Sequence, residues 1–445
     1  MVISPVDAVF EDIDMNYHGA GRKEFRKPCR ICAPTTYLIA ATKYGGADVR
    51  QTDHLSGRAI TDIAEVRRHN MRTILRLVES AGQVSRAEIA RRSGLSQPTM
   101  CTAVDGLVSL GLLTVAGEGC STGGRPPIML KLNTDSQYAV GVDLGGTNLR
   151  VGIADLTGKI LFHREGPSPG KLGIRGDAAV QAIADAVRET IEASGRCWNN
   201  IGGIGLGAPG VTDPSSGIVS VAPAFGWNNT PVAAMLRDEF SVPVRIDNDV
   251  NAAAMAELHY GCGLELSSFV FVSIGTGIGA GIVVDGRVYR GSSGAAGEIG
   301  YMVIDPSWPG SGIYDFGCFE TLAASGAITA LAVSALGRDG ATPEELFIAA
   351  REGDSRATES VRRIADVIAA SFASIAALLD PEAIVFGGGI SEAGEILFEP
   401  IRKRLCELSP FVPEIRPSRL GSNAGLVGAA TLAVKDIEER VLESV

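Results

Sequence analysis

The sequence predicts a two-lobed α/β protein preceded by a winged helix-turn-helix. Three observations carry that expectation. A short basic segment places two capped helices around a glycine turn. Strands then alternate with helices from residue 136 onward. Two strand–glycine turn–strand units, more than 100 residues apart, read as matching halves of one cleft.

At 445 residues the chain is too long for one ordinary core. Its 45% hydrophobic and 6% aromatic content fits a globular protein with small, Ala- and Gly-rich packing. The longest apolar runs, 364–379 and 270–284, fall short of the roughly 20 residues a spanning helix needs. No basic-then-apolar leader opens the chain, so a cytoplasmic protein without a membrane partner is expected. Eight scattered cysteines suit a reducing compartment. Cys29 and Cys32 form one C-x-x-C pair without a second, and read as two incidental thiols. A formal charge of −11 argues against a protein that coats nucleic acid, though not against a small basic module within it.

Residues 1–65 show no sustained period and read as a poorly ordered extension. The winged helix-turn-helix is expected over 66–135. Ile74, Leu75, Leu77 and Val78 form a helical stripe that ends near Gly82. Ser85, with Glu88 three residues on, reads as a capping box for a helix through Arg92. Gly94 makes the turn, and Ser96 caps a third helix with Val104, Leu107 and Val108 facing inward. Between Arg67 and Met100 there are seven arginines against two glutamates, a basic face suited to phosphates. Arg86, Arg91 and Arg92 are the candidate phosphate contacts. Gln97, Thr99, Met100 and Thr102 are offered to base edges or phosphates. In "LLTVAGEGCSTGGRPPIMLKLN" two strands flank a glycine-rich wing, whose Arg125 suits a narrow minor groove. Operator DNA is the expected partner.

Lobe 1 is expected over 136–250 and lobe 2 over 251–445, with the C-terminal helix a candidate to return to lobe 1. In "YAVGVDLGGTNLRVGIADLTGKIL" Asp143 ends a buried strand and Gly145, Gly146 and Thr147 follow. Such a turn lets backbone N–H groups approach a phosphate, and a nearby Asp can hold Mg²⁺. "VSIGTGIGAGIVVDG" repeats the design around Gly275, Thr276 and Gly277, and "AIVFGGGIS" adds Gly387, Gly388 and Gly389. Mg-ATP is therefore a candidate ligand, held without a P-loop. In "PVRIDNDVNAAAMAE" a strand delivers Asp247, Asn248 and Asp249 to a helix expected near Asn251. Asp249 reads both as its N-cap and as a general base for a sugar hydroxyl. Phosphoryl transfer asks for little beyond such a base, Mg²⁺ and positioned phosphates.

Taken together and in order, "DLGGTNLR", "GLGAPGVTD", "NDVNAAAMAE", "GTGIGAG", "GEIG", "GCFE", "GGGIS" and "LGSNAGLVGAA" resemble the ROK family of repressors, open reading frames and sugar kinases. The resemblance runs from residue 68 to about 435. It implies an actin-like, sugar-kinase fold whose lobes close on a sugar. An added winged helix-turn-helix marks the family's transcriptional regulators, which sense a sugar or phosphosugar. The resemblance makes Asn248 and Asp249 the sugar-binding pair, with Asp249 the catalytic base in kinases, and Glu298 and Glu320 further sugar ligands. It assigns the three glycine turns to ATP. The family's structural zinc is held by a His and three Cys. Here the corresponding positions are Tyr301, Ser311 and Ile313, and only Cys318 is retained. One thiol cannot build a tetrahedral site, so no structural zinc is expected. Tyr301 and Ala224, where kinases carry His and often Asn, alter the sugar pocket. Two readings follow: a sugar-responsive regulator of carbohydrate metabolism, expected to repress, and an ATP-dependent, glucokinase-like sugar kinase with Asp249 as base. The wing, the basic helices and the eroded zinc loop favour the regulator; the base and the glycine turns keep residual kinase chemistry open. A homodimer or homotetramer is expected.

Overall fold

The computed structural model describes residues 63–119, 126–308, 310 and 316–444. The expected extension up to residue 62, Cys29 and Cys32, the wing arginine Arg125, and the loop positions Ser311 and Ile313 lie outside the described residues.

Helix α1 (Ile63–Ala81) begins three residues before the expected domain start. A two-residue strand β1 (Val84–Ser85) leads into α2 (Arg86–Ser93) and α3 (Gln97–Ser109). Strands β2 (Leu113–Glu118) and β3 (Ile128–Leu132) pair antiparallel and complete the wing. Gly94 turns the chain at φ 67°, a conformation costly to any residue with a Cβ. Ser85 and Ser96 cap their helices through the N–H groups of Glu88 and Thr99. The Ser85 capping box is not completed. Glu88 instead accepts bonds from Arg91 (2.5 and 2.8 Å) and Arg92 (2.5 Å). Two guanidinium groups on the same helical turn outcompete one backbone N–H for a carboxylate. Met71, Ile74, Ile89, Met100, Val104 and Leu107 form the core. Val108, expected inside, is 37% exposed.

The first large sheet contains β4 (Tyr138–Leu144), β5 (Asn148–Ala154) and β6 (Ile160–Pro167), with helix α4 (Asp177–Ala193) following. Next come β7 (Ile201–Ala208) and a small sheet of β8 (Val211–Asp213), β9 (Ile218–Ala222) and β10 (Trp227–Thr230). Helix α5 (Val232–Phe240) and β11 (Val244–Asn248) close the unit, and α6 (Asp249–Tyr260) leaves it. The second large sheet contains β12 (Phe269–Ile274), β13 (Ile278–Val284) and β14 (Arg287–Tyr289). Helices α7 (Cys318–Ala323), α8 (Ser325–Leu336), α9 (Pro343–Arg351) and α10 (Ser355–Leu379) precede β15 (Ala383–Gly387). Helix α11 (Glu395–Leu408), β16 (Glu414–Pro417) and α12 (Ala424–Glu443) end the chain.

The two sheets share one topology. The first runs β11-β7-β4-β5-β6 and the second β16-β15-β12-β13-β14. In each, a three-strand antiparallel meander joins two parallel strands. The sequence stretch Cys318–Leu336 is long and apolar enough to cross a membrane by length and composition. It is two helices, broken where Ala324 adopts extended backbone (φ −72°, ψ 166°).

Glycines decide how the halves interlock. Helix α12 lies on the first sheet, where a methyl added at Gly205 would sit 1.9 Å from the Ala429 carbonyl oxygen. Helix α6 lies on the second sheet, where Gly281 admits Ala254. Each helix thus follows a strand of one sheet and packs on the other. They meet at Gly428, whose added methyl would stand 2.0 Å from the Ala252 carbonyl oxygen. Helix α12 also reaches α1: Lys435 Nζ lies 3.8 Å from Glu79 and 3.2 Å from Glu438. One apolar cluster runs from Met71, Leu130 and Leu132 through Ala139 and Leu156 to Val434 and Ile437.

Candidate functional site

The β11–α6 corner is built by Asn248. Its side-chain oxygen accepts the N–H groups of Val250 (2.9 Å) and Asn251 (3.1 Å), and its amide donates to the Gly210 carbonyl (3.1 Å). Asn248 is therefore the N-cap, and α6 starts at Asp249 rather than near Asn251. Asn outcompetes Asp for this role because its amide also ties down the neighbouring loop. The cap leaves Asn248 one N–H for a ligand and releases the Asp249 carboxylate from the task expected of it.

Asp249 is half-buried, and its carboxyl is pushed up to about 7. Burial contributes most, followed by the negative charge of Asp143; Glu298 adds to it, against a bond from the Val250 N–H. Glu298 and Glu320 are half-buried and also raised, by burial first and, for Glu298, by Glu320. Glu320 accepts the Ile278 N–H at 3.0 Å. The structure thus brings Asp249 and Glu298 into one electrostatic neighbourhood, with Glu320 beside Glu298. Raised carboxyls can give a hydrogen bond when protonated and take one from a hydroxyl when ionised, a constellation suited to a neutral polyol. Tyr301 follows Glu298 at 54% exposure. Ala224 is exposed in a short turn before Trp227.

The glycine turns divide by task. Gly145 and Gly275 close their hairpins by N–H bonds to the Asn148 and Gly277 carbonyls, each 2.9 Å. The hairpins meet: Thr147 Oγ1 and Thr276 Oγ1 are 3.2 Å apart, and Gly146 faces Thr276. Gly277 abuts the Glu320 carboxylate, so it serves the polyol site as well. Gly387 makes room for Phe271, and Gly388 (φ 79°) rides against the Ile274 backbone; Gly389 alone of the three faces open space. Asp143, the expected Mg²⁺ ligand, is buried, 3.3 Å from Arg150, with the first turn of α12 against it at Gly425. Burial raises its carboxyl, against the pull of Arg150.

The zinc donors do not fit a tetrahedral site. Cys318 Sγ belongs to a buried residue at the head of α7, and Tyr301 offers a phenol where the pattern needs an imidazole. No group of three or more His, Cys, Asp or Glu side chains suited to a metal occurs among the described residues.

On the DNA side, Gln97, Thr99 and Thr102 are exposed on α3. Met100 is not available to bases: it is fully buried, one helical step around from Thr99 and in the domain core. Arg86 pairs with Asp105 at 2.7 Å, and Arg91 and Arg92 with Glu88. Those two bonds hold Glu88 down to about 2, so the pairs persist at neutral pH and a phosphate must compete for the arginines. Sequence reasoning missed the partner of Asp247. Arg290 Nε and Nη2 donate to its Oδ2 at 3.0 and 2.6 Å. Nothing in the spacing pairs residues 43 apart on different sheets.

Comparison with known proteins agrees with this architecture. The ROK family model matches residues 139–436, and the MarR family model matches residues 58–125. The chain is 27% identical over 385 residues to the xylose repressor of Caldicellulosiruptor bescii, covering 83% of this chain and 96% of that protein. It is 32% identical over 315 residues to the glucokinase of Streptomyces coelicolor, covering 66% of this chain and 96% of that protein. The repressor match takes in more of the chain than residues 139–445 hold, so it reaches into the winged helix. A crystal structure described as a ROK family transcriptional regulator, a homologue of the E. coli MLC protein, superposes with a TM-score of 0.74 at 24% identity. It covers 85% of this chain and 98% of that one. With the matched model spanning most of its length, a duplicated α/β topology and a winged helix in front, this chain belongs to the ROK family.

Proposed function

We propose that the protein is a sugar-responsive transcriptional regulator, with the winged helix reading operator DNA and the two-lobed part sensing a monosaccharide or phosphosugar. The observation that carries this reading is the shared helix α12. It packs along α6, which bears Asn248 and Asp249 at its head, and it also meets α1 of the winged helix. A sugar that bridges Asp249 on α6 and Glu298 and Glu320 of the second lobe shifts α6 against α12, and α12 carries the shift to α1. Differential affinity of sugar for two arrangements is all that coupling requires. Repression is the proposed mode, as the name of the xylose repressor that this chain resembles gives for that protein, and its relief by sugar follows from the coupling through α12. A symmetric dimer is the proposed DNA-bound form, since paired recognition helices match half-sites one helical turn apart. The cytoplasm is the compartment such a regulator works in.

The kinase reading retains one specific support, the Asp249 carboxyl poised near neutral pH beside the glycine turns. Against it stands the contact between Thr147 and Thr276, which joins the tips of the two glycine hairpins. The deciding experiment selects DNA with the full chain, then follows release by fluorescence anisotropy on adding D-xylose, D-glucose, N-acetylglucosamine and their phosphates, with and without Mg-ATP. Release by sugar alone supports the regulator. Release only with hydrolysable ATP, accompanied by turnover of about 1–10³ s⁻¹, would make it a kinase first.

A further inference from the structure

We propose that Arg290 is the positioning residue of the sugar site, a clamp that holds the two sheets' facing edges and sets both ligand groups at once. Asp247 lies in β11, the edge strand of the first sheet; Arg290 follows β14, the edge strand of the second. Asp247 is 1% exposed, and its two oxygens divide the work. Oδ1 accepts the Asn248 N–H at 2.9 Å, fixing the corner that presents Asn248 and Asp249. Oδ2 takes the Arg290 fork, while Arg290 Nη1 donates to the Val288 carbonyl at 3.2 Å, which fixes the guanidinium on its own sheet. The backbone of Arg290 serves the other ligand. Its carbonyl accepts the Ala296 N–H at 3.2 Å, closing the loop that delivers Glu298.

Lysine cannot reproduce this fork, because its ammonium is a single point charge on a flexible stem. Losing the fork leaves the Asp247 carboxylate held only through Oδ1, so the corner that presents Asn248 and Asp249 loosens against the second sheet, and re-ordering it on binding weakens sugar affinity by roughly tenfold. It also strands a buried carboxylate, which lowers thermal stability for a separate reason. The two effects come apart in the double variant. Asp247→Asn with Arg290→Met removes the stranded charge but does not restore the tie.

The test uses the full chain. Calorimetric titration with D-glucose and D-xylose is run alongside thermal unfolding and small-angle scattering of the ligand-free protein. Arg290→Met is expected to lower the melting temperature, enlarge the radius of gyration and weaken whichever probe the parent binds. The double variant is expected to recover the melting temperature while radius and affinity stay altered, and Arg290→Lys to fall between. Recovery of affinity together with stability, or a parent-like radius in both variants, would overturn the clamp. The inference rests on the sugar-sensing reading only for its ligand. If the parent binds neither probe, that reading is what suffers, while the scattering arm still decides the clamp. Should Arg290→Met not fold, Arg290→Lys and the double variant carry the comparison alone.

Discussion

Asp249→Asn should make the sugar-free protein more stable above neutral pH while removing its response to sugar. The folded chain holds this carboxyl at about 7 against an ordinary 3.8. Between those values the folded state keeps a proton that the unfolded chain has released, so stability falls as pH rises through the window and the loss is complete above about pH 7. At 1.36 kcal/mol for each tenfold change in proton affinity, full burial would make that loss about 4 kcal/mol. Asp249 keeps part of its surface in the cleft, and screening there reduces the figure to about 2 kcal/mol. Asparagine preserves the shape without the charge. The variant should therefore match the parent near pH 4 and exceed it at pH 8 by ~2 kcal/mol, or roughly 2 °C in melting temperature for a chain of this length. Scanning calorimetry of both proteins from pH 4 to 8 is the assay. At pH 8 the same variant should bind sugar weakly, having lost its ionised acceptor, and stay on DNA when sugar is added. A parent whose stability is flat or rises from pH 4 to 7, relative to the variant, would refute this account of a strained acceptor.

Lys435→Glu places like charges opposite Glu79 and Glu438. It should leave sugar affinity by calorimetry near the parent's while reducing sugar-induced DNA release by anisotropy. Met100→Ala should cost the winged helix about 2–5 kcal/mol and abolish DNA binding by loosening its core, seen by circular dichroism. Thr99→Ala should leave folding nearly intact and weaken DNA binding alone. Purified protein should carry less than one zinc per chain by elemental analysis, and one tightly held zinc lost on Cys318→Ser would contradict that.

The sequence made legible what local rules control. Ser85, Gly94 and Ser96 mark helix ends by capping and backbone sterics, and the structure follows them closely. The glycine turns and the Asp247–Asn248–Asp249 corner could be placed because a strand, a turn and a helix each leave a local signature. What local rules could not supply was competition between partners. Whether Glu88 returns to its cap or turns to Arg91 and Arg92, and whether Asn248 or Asp249 caps α6, depends on relative bond strengths in three dimensions. Met100 falls on the expected recognition helix with Gln97, Thr99 and Thr102, but the rotation of α3 on its core buries it. Arg290 left no trace at all, since its partner lies on the other sheet. Lys435 and Glu79 are separated by nearly the whole described chain.

The apolar cluster that runs from the winged helix into α12 has a genetic consequence. Leu130 and Leu132 belong to one buried cluster with Ala139, Leu156, Val434 and Ile437, so the reader of DNA is not sealed off from the sensor. A lesion that loosens the first sheet, far from any base contact, loosens the reader too. In a host that depends on this protein to keep genes silent, constitutive mutants should therefore map to β4, β5 and α12 as readily as to α3, and their phenotype should imitate the presence of sugar.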